Sequence, residues 1–168
     1  MATITDLLLP EFDQEMANTR RVLERVPDDK FGWKPHDKSW SMGDLASHIA
    51  NMIGWAEPTM TATSFDLASV TPAEMNRAAK SQKELLSWFD ASVAKVRPVL
   101  AKSDADYFVP WSLKRGTQVI FTMPRVVCVR SFVMNHVIHH RAQLTVYLRL
   151  NNIPVPGLYG PSADEGNM

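Results

Sequence analysis

Apolar residues return at steps of three and four along four separate stretches of this 168-residue chain. That spacing marks one face of a helix, not the alternation of a half-buried strand. A helix with a single apolar face must cover it against a partner, so four of them predict a four-helix bundle. The fold class expected is therefore all-α, in a single domain over residues 1–168.

Helix one is predicted from Pro10 to Val26, with Phe12, Met16, Thr19, Leu23 and Val26 as its stripe. Pro10 suits a first-turn position, where a missing N–H costs nothing, and Thr5 to Leu9 reads as a separate lead-in turn. Helix two starts at Ser41, a good cap with Asp44 three residues on. Met42, Leu45, Ile49, Met52 and Ile53 form its stripe, and it ends near Glu57-Pro58 or a turn later. Helix three opens at Thr71-Pro72-Ala73-Glu74 and carries Met75, Ala78, Gln82, Leu85, Phe89, Val93 and Val96 before Pro98 ends or kinks it. Ser103 to Thr122 lacks a helical pattern. Trp111-Ser-Leu and Gln118-Val-Ile-Phe flank Lys114-Arg115-Gly116, which permits a small hairpin. Helix four spans Pro124 to Leu150. On a 100°-per-residue wheel, Val129, Phe132, Val133, His140, Gln143 and Tyr147 fall within about 60° of His136. Ser131, Arg141, Thr145 and Arg149 fall on the opposite side.

Composition narrows the function. Lys plus Arg and Asp plus Glu are 18 each, a formal net charge of zero. That balance argues against a nucleic-acid partner and against a polybasic membrane surface. Cys128 is the one cysteine, so neither an intrachain disulfide nor a cysteine zinc cluster is expected, and the residue reads as a small apolar packer. No apolar run reaches the 18 or so residues that span a bilayer, and Met1 to Pro10 makes a poor secretory signal. A cytoplasmic protein with no membrane partner is expected.

Three of the five histidines crowd into His136, His139 and His140. His136 and His140 are four apart, which on a helix places their Cβ atoms about 5–6 Å apart on one face. Two imidazoles at that spacing can meet one metal ion. No Glu follows the first His, so a zinc-protease mechanism lacks its general base. His48, at the edge of the stripe on helix two, offers a third ligand. Three such ligands leave coordination positions open, as catalytic sites do. The alternative is that these histidines are hydrogen-bonded core groups. His139 reads as a flanking residue next to the site. Gln143 and Tyr147 read as pocket residues or as packing, His36 as a loop residue, Asp44 and Glu57 as cap and surface residues, and the nine Met as core filler.

The stretch Lys34-Pro-His-Asp-Lys-Ser-Trp-Ser-Met-Gly-Asp-Leu-Ala-Ser-His48 resembles the start of helix two in DinB/YfiT-like proteins. The run His136-Val-Ile-His-His-Arg-Ala-Gln-Leu-Thr-Val-Tyr-Leu-Arg is similar to their last helix, and Pro154-Val-Pro-Gly-Leu-Tyr-Gly-Pro-Ser-Ala-Asp-Glu to their C-terminal end. One departure is Ala142, where the family often has Gly before the Gln. The resemblance implies a homodimeric four-helix bundle with one long crossover connection, whose metal triad is His48, His136 and His140. The ion it implies is divalent: zinc or nickel first, and iron next. It further implies a metal-dependent thiol S-transferase or isomerase of stress or detoxification metabolism, taking a low-molecular-weight thiol as cosubstrate. The alternative is a non-catalytic metal- or small-ligand-binding stress-response bundle. Imidazole ligands alone do not choose the metal. With a lone buried-type cysteine in the chain, the reacting thiol would come from the cosubstrate.

Overall fold

Thr3 opens the first helix with a reciprocal cap, its side chain taking the Asp6 N–H while Asp6 takes the Thr3 N–H. Helix α1 therefore runs Ile4–Leu23, a turn and a half earlier than the position of Pro10 suggests, and Pro10 lies inside it. The whole predicted stripe is buried, Val26 included, although the helix has ended by then. The computed structural model describes residues 1–75 and 77–166. Asn76, inside the predicted helix three, and Asn167 and Met168, inside the predicted domain, lie outside the described residues.

Helix α2, Met42–Met52, is capped by Ser41, whose Oγ accepts the Asp44 N–H at 3.1 Å. A tighter turn at Ile53–Trp55 carries it into α3, Ala56–Thr61. Every residue of its expected stripe is buried.

The third helix differs from expectation. Thr71 and Glu74 cap each other, but the helix they open, α4, holds only Pro72–Met75. The main helix α5, Gln82–Val99, starts afresh at Ser81, which accepts the Glu84 N–H. Arg77 and Ala79 bond to α2 instead. Ala79 N–H donates to Ser47 Oγ at 2.9 Å, and Asn51 Nδ2 donates to Arg77 C=O at 2.8 Å. Backbone groups engaged by a neighbouring helix cannot continue their own helical ladder.

The irregular region is ordered by a short helix α6, Asp104–Phe108, and a hairpin of β2, Pro110–Arg115, with β3, Gln118–Pro124. Gly116 turns the hairpin at φ 59 and donates its N–H to Asp66 Oδ1. Asp66 ends β1, Ser64–Asp66, which pairs parallel to β2. The sheet order is β1-β2-β3. The molecule is thus mostly helical but not all-α. The β2–β3 hairpin lies where the sequence permits one, whereas β1 was not expected, because it is three residues long and acquires its partner only in the fold.

The last helical stretch is continuous but not uniform. Helix α7, Arg125–Cys128, passes through a wide π-type turn at Val129–Met134 into α8, Asn135–Leu150. α2 packs on α5 and α8, and α1 packs on the same two, so α1 and α2 face each other across the bundle diagonal. α8 ends in a Schellman motif. Asn152 takes a positive φ of 56, and Ile153 N–H reaches Leu148 C=O at 3.0 Å. Among the described residues no helix is long and apolar enough to cross a membrane.

The face that α8 buries is not the one the wheel gives. Val137, Arg141, Leu144 and Leu148 are buried, whereas Gln143 is exposed and His136, His140 and Tyr147 are only half-buried. Phe132, placed on the core face, is 40% exposed and stacks on Phe121 of β3 at 4.7 Å. The wide turn holds more residues per turn than 3.6, so positions before and after it fall out of phase. Arg141, assigned to the solvent side, is 1% exposed. It lies between α8 and α1, donating to Glu15 Oε2 at 2.7 Å, Glu15 C=O at 3.0 Å and Thr19 Oγ1 at 3.1 Å. The hydroxyl of Tyr159 joins Arg141 and donates to Glu15 from the C-terminal tail.

Candidate metal centre

The loop before α2 builds one wall of the site. Phe31 C=O accepts the Gly43 N–H and Trp33 C=O accepts the Met42 N–H, both at 2.9 Å. Two of the free donors at the helix start are thus satisfied by the incoming chain. Gly43 permits the approach, since a Cβ there would stand 2.6 Å from Phe31 Cδ1. This contact delivers Trp40 to the rim of the bundle, where it is 45% exposed.

Beneath Trp40, α2 presents His48 and α8 presents His136 and His140. His48 Nε2 lies 3.4 Å from His136 Nε2, and His136 Nε2 lies 2.8 Å from His140 Nε2. The ligand atoms of the three all fall within 4.8 Å of one another, so the group could hold a metal ion. With metal–nitrogen bonds of about 2.05 Å, nitrogens sit about 3.3 Å apart at a tetrahedral angle and about 2.9 Å apart at a right angle. The observed separations match those values, and the donor set fits a divalent ion.

Electrostatics agree with a ligand role, because metals bind neutral imidazole. Burial first, then the His140 and His136 charges, hold the His48 pKa down at about 4. Burial first, then His140, lowers His136, against a hydrogen bond to the Phe132 backbone. Burial lowers His140 too, opposed by its bond to Gln143. That bond joins His140 Nδ1 to Gln143 Oε1 at 2.7 Å. It orients the ring and leaves Nε2 for the shared centre, the arrangement typical of metal-bound histidine.

His139 is exposed and lies outside the triad, its ring 4.9 Å from that of His140. Tyr147 packs edge-on against Trp33 at 5.5 Å, and its hydroxyl donates to Trp40 C=O at 3.4 Å. Cys128 is buried away from the triad beside Met123, and burial pushes its thiol up to about 11. It packs and is a poor nucleophile. His36 is in the loop, bonded to the Lys38 N–H. Trp40 is the site residue that sequence reasoning missed. Its indole lies 4.7 Å from the His48 ring and 5.7 Å from the His140 ring. It occurs within the quoted stretch that ends at His48, but nothing in its spacing indicates that the loop folds back over the triad.

Two clefts meet at this indole. One, of about 250 Å³, is lined by Trp40, Asp44, His48 and Arg77. The other, of about 490 Å³, is lined by Trp40, Leu45, His140, Gln143, Val146 and Tyr147.

Fold and site together define a helical bundle with a three-histidine centre at one edge. The DinB family model matches residues 1–167, and the chain belongs to the DinB family. It is 26% identical over 161 residues to the uncharacterized protein YrdA of Bacillus subtilis, covering 95% of this chain and 90% of that one. A crystal structure of a DinB-like protein from Bacillus cereus superposes with a TM-score of 0.70 at 21% identity, over 94% of this chain and 98% of that one. The DinB-like protein YjoA of Bacillus subtilis gives 0.66 at 16% identity, over 88% and 95%. These two likenesses concern the fold.

Proposed function

We propose that this protein is a divalent-metal-dependent thiol S-transferase, with zinc or nickel, and next iron, held by His48, His136 and His140. The observation that carries the reading is the convergence of three imidazoles on a point that two clefts reach. A divalent ion bound there would favour the thiolate form of a thiol at neutral pH. The chain's own residues then set the stage. Gln143 fixes the His140 ring. Trp40 packs against the His48 and His140 rings, Tyr147 holds the Trp40 carbonyl, and His139 flanks the centre. The sulfur forms a bond to an electrophilic carbon, the leaving group departs with its electron pair, and the thiol proton passes to solvent or to that group. The buried, acid-weakened Cys128 leaves the nucleophile to a small thiol cosubstrate. The same reading has the chain acting as a homodimer in the cytoplasm, for which sedimentation velocity is the check on assembly.

The experiment is turnover of a chromogenic chloronitrobenzene with several low-molecular-weight thiols, on zinc-, nickel- and iron-loaded protein. Rates should require metal and fall at least about 100-fold in His136→Ala, the scale of losing a metal-activated nucleophile. Stoichiometric metal with no turnover for any thiol would instead favour the non-catalytic binding bundle. Turnover that survives complete chelation would overturn the proposed chemistry.

A further inference from the structure

The smaller cleft differs in charge from its neighbour. Beside His48 it carries one cation, Arg77, and one anion, Asp44. Arg77 is held in place. Its guanidinium carbon stands 3.5 Å over the ring centroid of Trp88, and its carbonyl accepts from Asn51. Stacking uses the flat face of a guanidinium and leaves the N–H edge for a planar anion. Among the described residues Arg77, like Arg25, Arg115 and Arg125, holds no carboxylate, and of these four it is the one that lines the cleft beside His48. Asp44 is fixed by the Ser41 hydroxyl on one oxygen, Oδ2, at 2.6 Å.

A cleft with one charge of each sign discriminates by chemistry. A simple anion meets Asp44, and a simple cation meets Arg77. A molecule bearing an ammonium and a carboxylate satisfies both, and charge-assisted bonds of this kind are the strong ones. A volume of about 250 Å³ suits a small metabolite.

We infer that the His48-side cleft is the subsite for an amino-acid-type zwitterionic thiol. Arg77 takes its carboxylate, Asp44 takes its ammonium, and its sulfur end lies toward the histidine triad. The larger cleft beyond Trp40, walled by Leu45, Val146 and Tyr147, is left for a less polar electrophile. This rests on the proposed thiol chemistry and adds the class of cosubstrate and the residues that select it.

The test is calorimetric titration of zinc-loaded protein with L-cysteine, cysteamine and 3-mercaptopropionate. L-Cysteine should bind most tightly. Arg77→Gln should weaken L-cysteine and 3-mercaptopropionate about tenfold or more while leaving cysteamine within about twofold. Asp44→Asn should weaken L-cysteine and cysteamine and spare 3-mercaptopropionate. Because the two variants are expected to spare opposite ligands, a general loss of fold cannot imitate the pattern. Equal affinity for all three thiols in the wild type, or equal weakening of all three by Arg77→Gln, would overturn the inference. L-Serine, which has no thiol, separates this inference from the one beneath it. It should shift the Trp40 indole N–H resonance of metal-free protein, and Arg77→Gln should abolish that shift. If serine behaves so while zinc adds nothing to thiol binding, the subsite stands and the metal–thiol reading falls. If zinc strengthens thiol binding but the charge pattern is absent, the subsite falls alone.

Discussion

His140 and Arg141 are consecutive on α8, yet they belong to opposite kinds of polar cluster. Arg141 turns toward α1, is almost fully buried, and finds Glu15, Thr19 and Tyr159 waiting for its N–H groups. His140 turns toward α2, is half-buried, and converges with two more imidazoles whose nitrogens face one another across about 3 Å without a counter-charge. One cluster satisfies its own hydrogen-bonding capacity and locks the tail onto the bundle. The other gathers its Nε2 atoms against one another, with no partner among the described residues beyond the cluster itself on that side, beside open clefts. A cluster with charged partners drawn from other elements maintains the fold, whereas like groups that bond only among themselves beside a cleft remain available to a ligand.

The contrast can be broken most directly at Arg141. Arg141→Ala should leave the Glu15 carboxylate buried without its partner and cost about 3–5 kcal/mol in urea unfolding. A change below about 1 kcal/mol would mean that the α1 cluster is not structural. The histidine cluster should respond in the reverse sense. His136→Ala should leave metal-free stability within about 1 kcal/mol, since a half-exposed group is lost, but abolish metal retention in mass spectrometry of purified protein. In the wild type, metal at 100 times its Kd should add about 2.7 kcal/mol to stability, and His136→Ala should remove that gain.

Gly43→Ala tests the loop that roofs only the histidine side. The added methyl meets the Phe31 ring and should cost about 1–3 kcal/mol through overpacking, with a changed Trp fluorescence spectrum. The smallest effect expected is with pH. His48 titrates near 4 in the folded protein against 6.5 unfolded, so the unfolded chain takes up the proton first. The stability of metal-free protein should be full above about 6.5 and decline as pH falls toward about 4. His48→Gln should reduce that decline in thermal melts, the lowered His136 and His140 supplying the rest, and bound metal should move it to lower pH. A decline of equal slope in the variant would assign the effect to other groups.

Much of this molecule was legible in advance. The stripes of α1 and α2, the Ser41 cap and the Cys128 packing role follow from spacing and side-chain chemistry that act within a turn or two of the chain. The i,i+4 pair of His136 and His140 is likewise a local fact. What escaped was decided at a distance. The Thr71–Glu74 cap is genuine, yet α5 restarts at Ser81 because α2 claims the intervening backbone. Pro10 stands inside α1 because the Thr3–Asp6 cap starts the helix earlier.

The chain by itself determined the apolar stripes of α1 and α2, the cap at Ser41, and the i,i+4 spacing that puts His136 and His140 on one side of a helix. Those properties depend on neighbours three or four positions apart. Only the tertiary structure decided the face on which α8 rests. A wide turn at Val129–Met134 broke the phase of its wheel, and Glu15 on α1 offered a partner that made burying Arg141 affordable. With Arg141 inside, His136 and His140 are rotated to the shoulder of the helix. There they meet His48 of α2 under Trp40, and Arg77 lines the adjoining cleft, an assembly that periodicity along one helix does not contain.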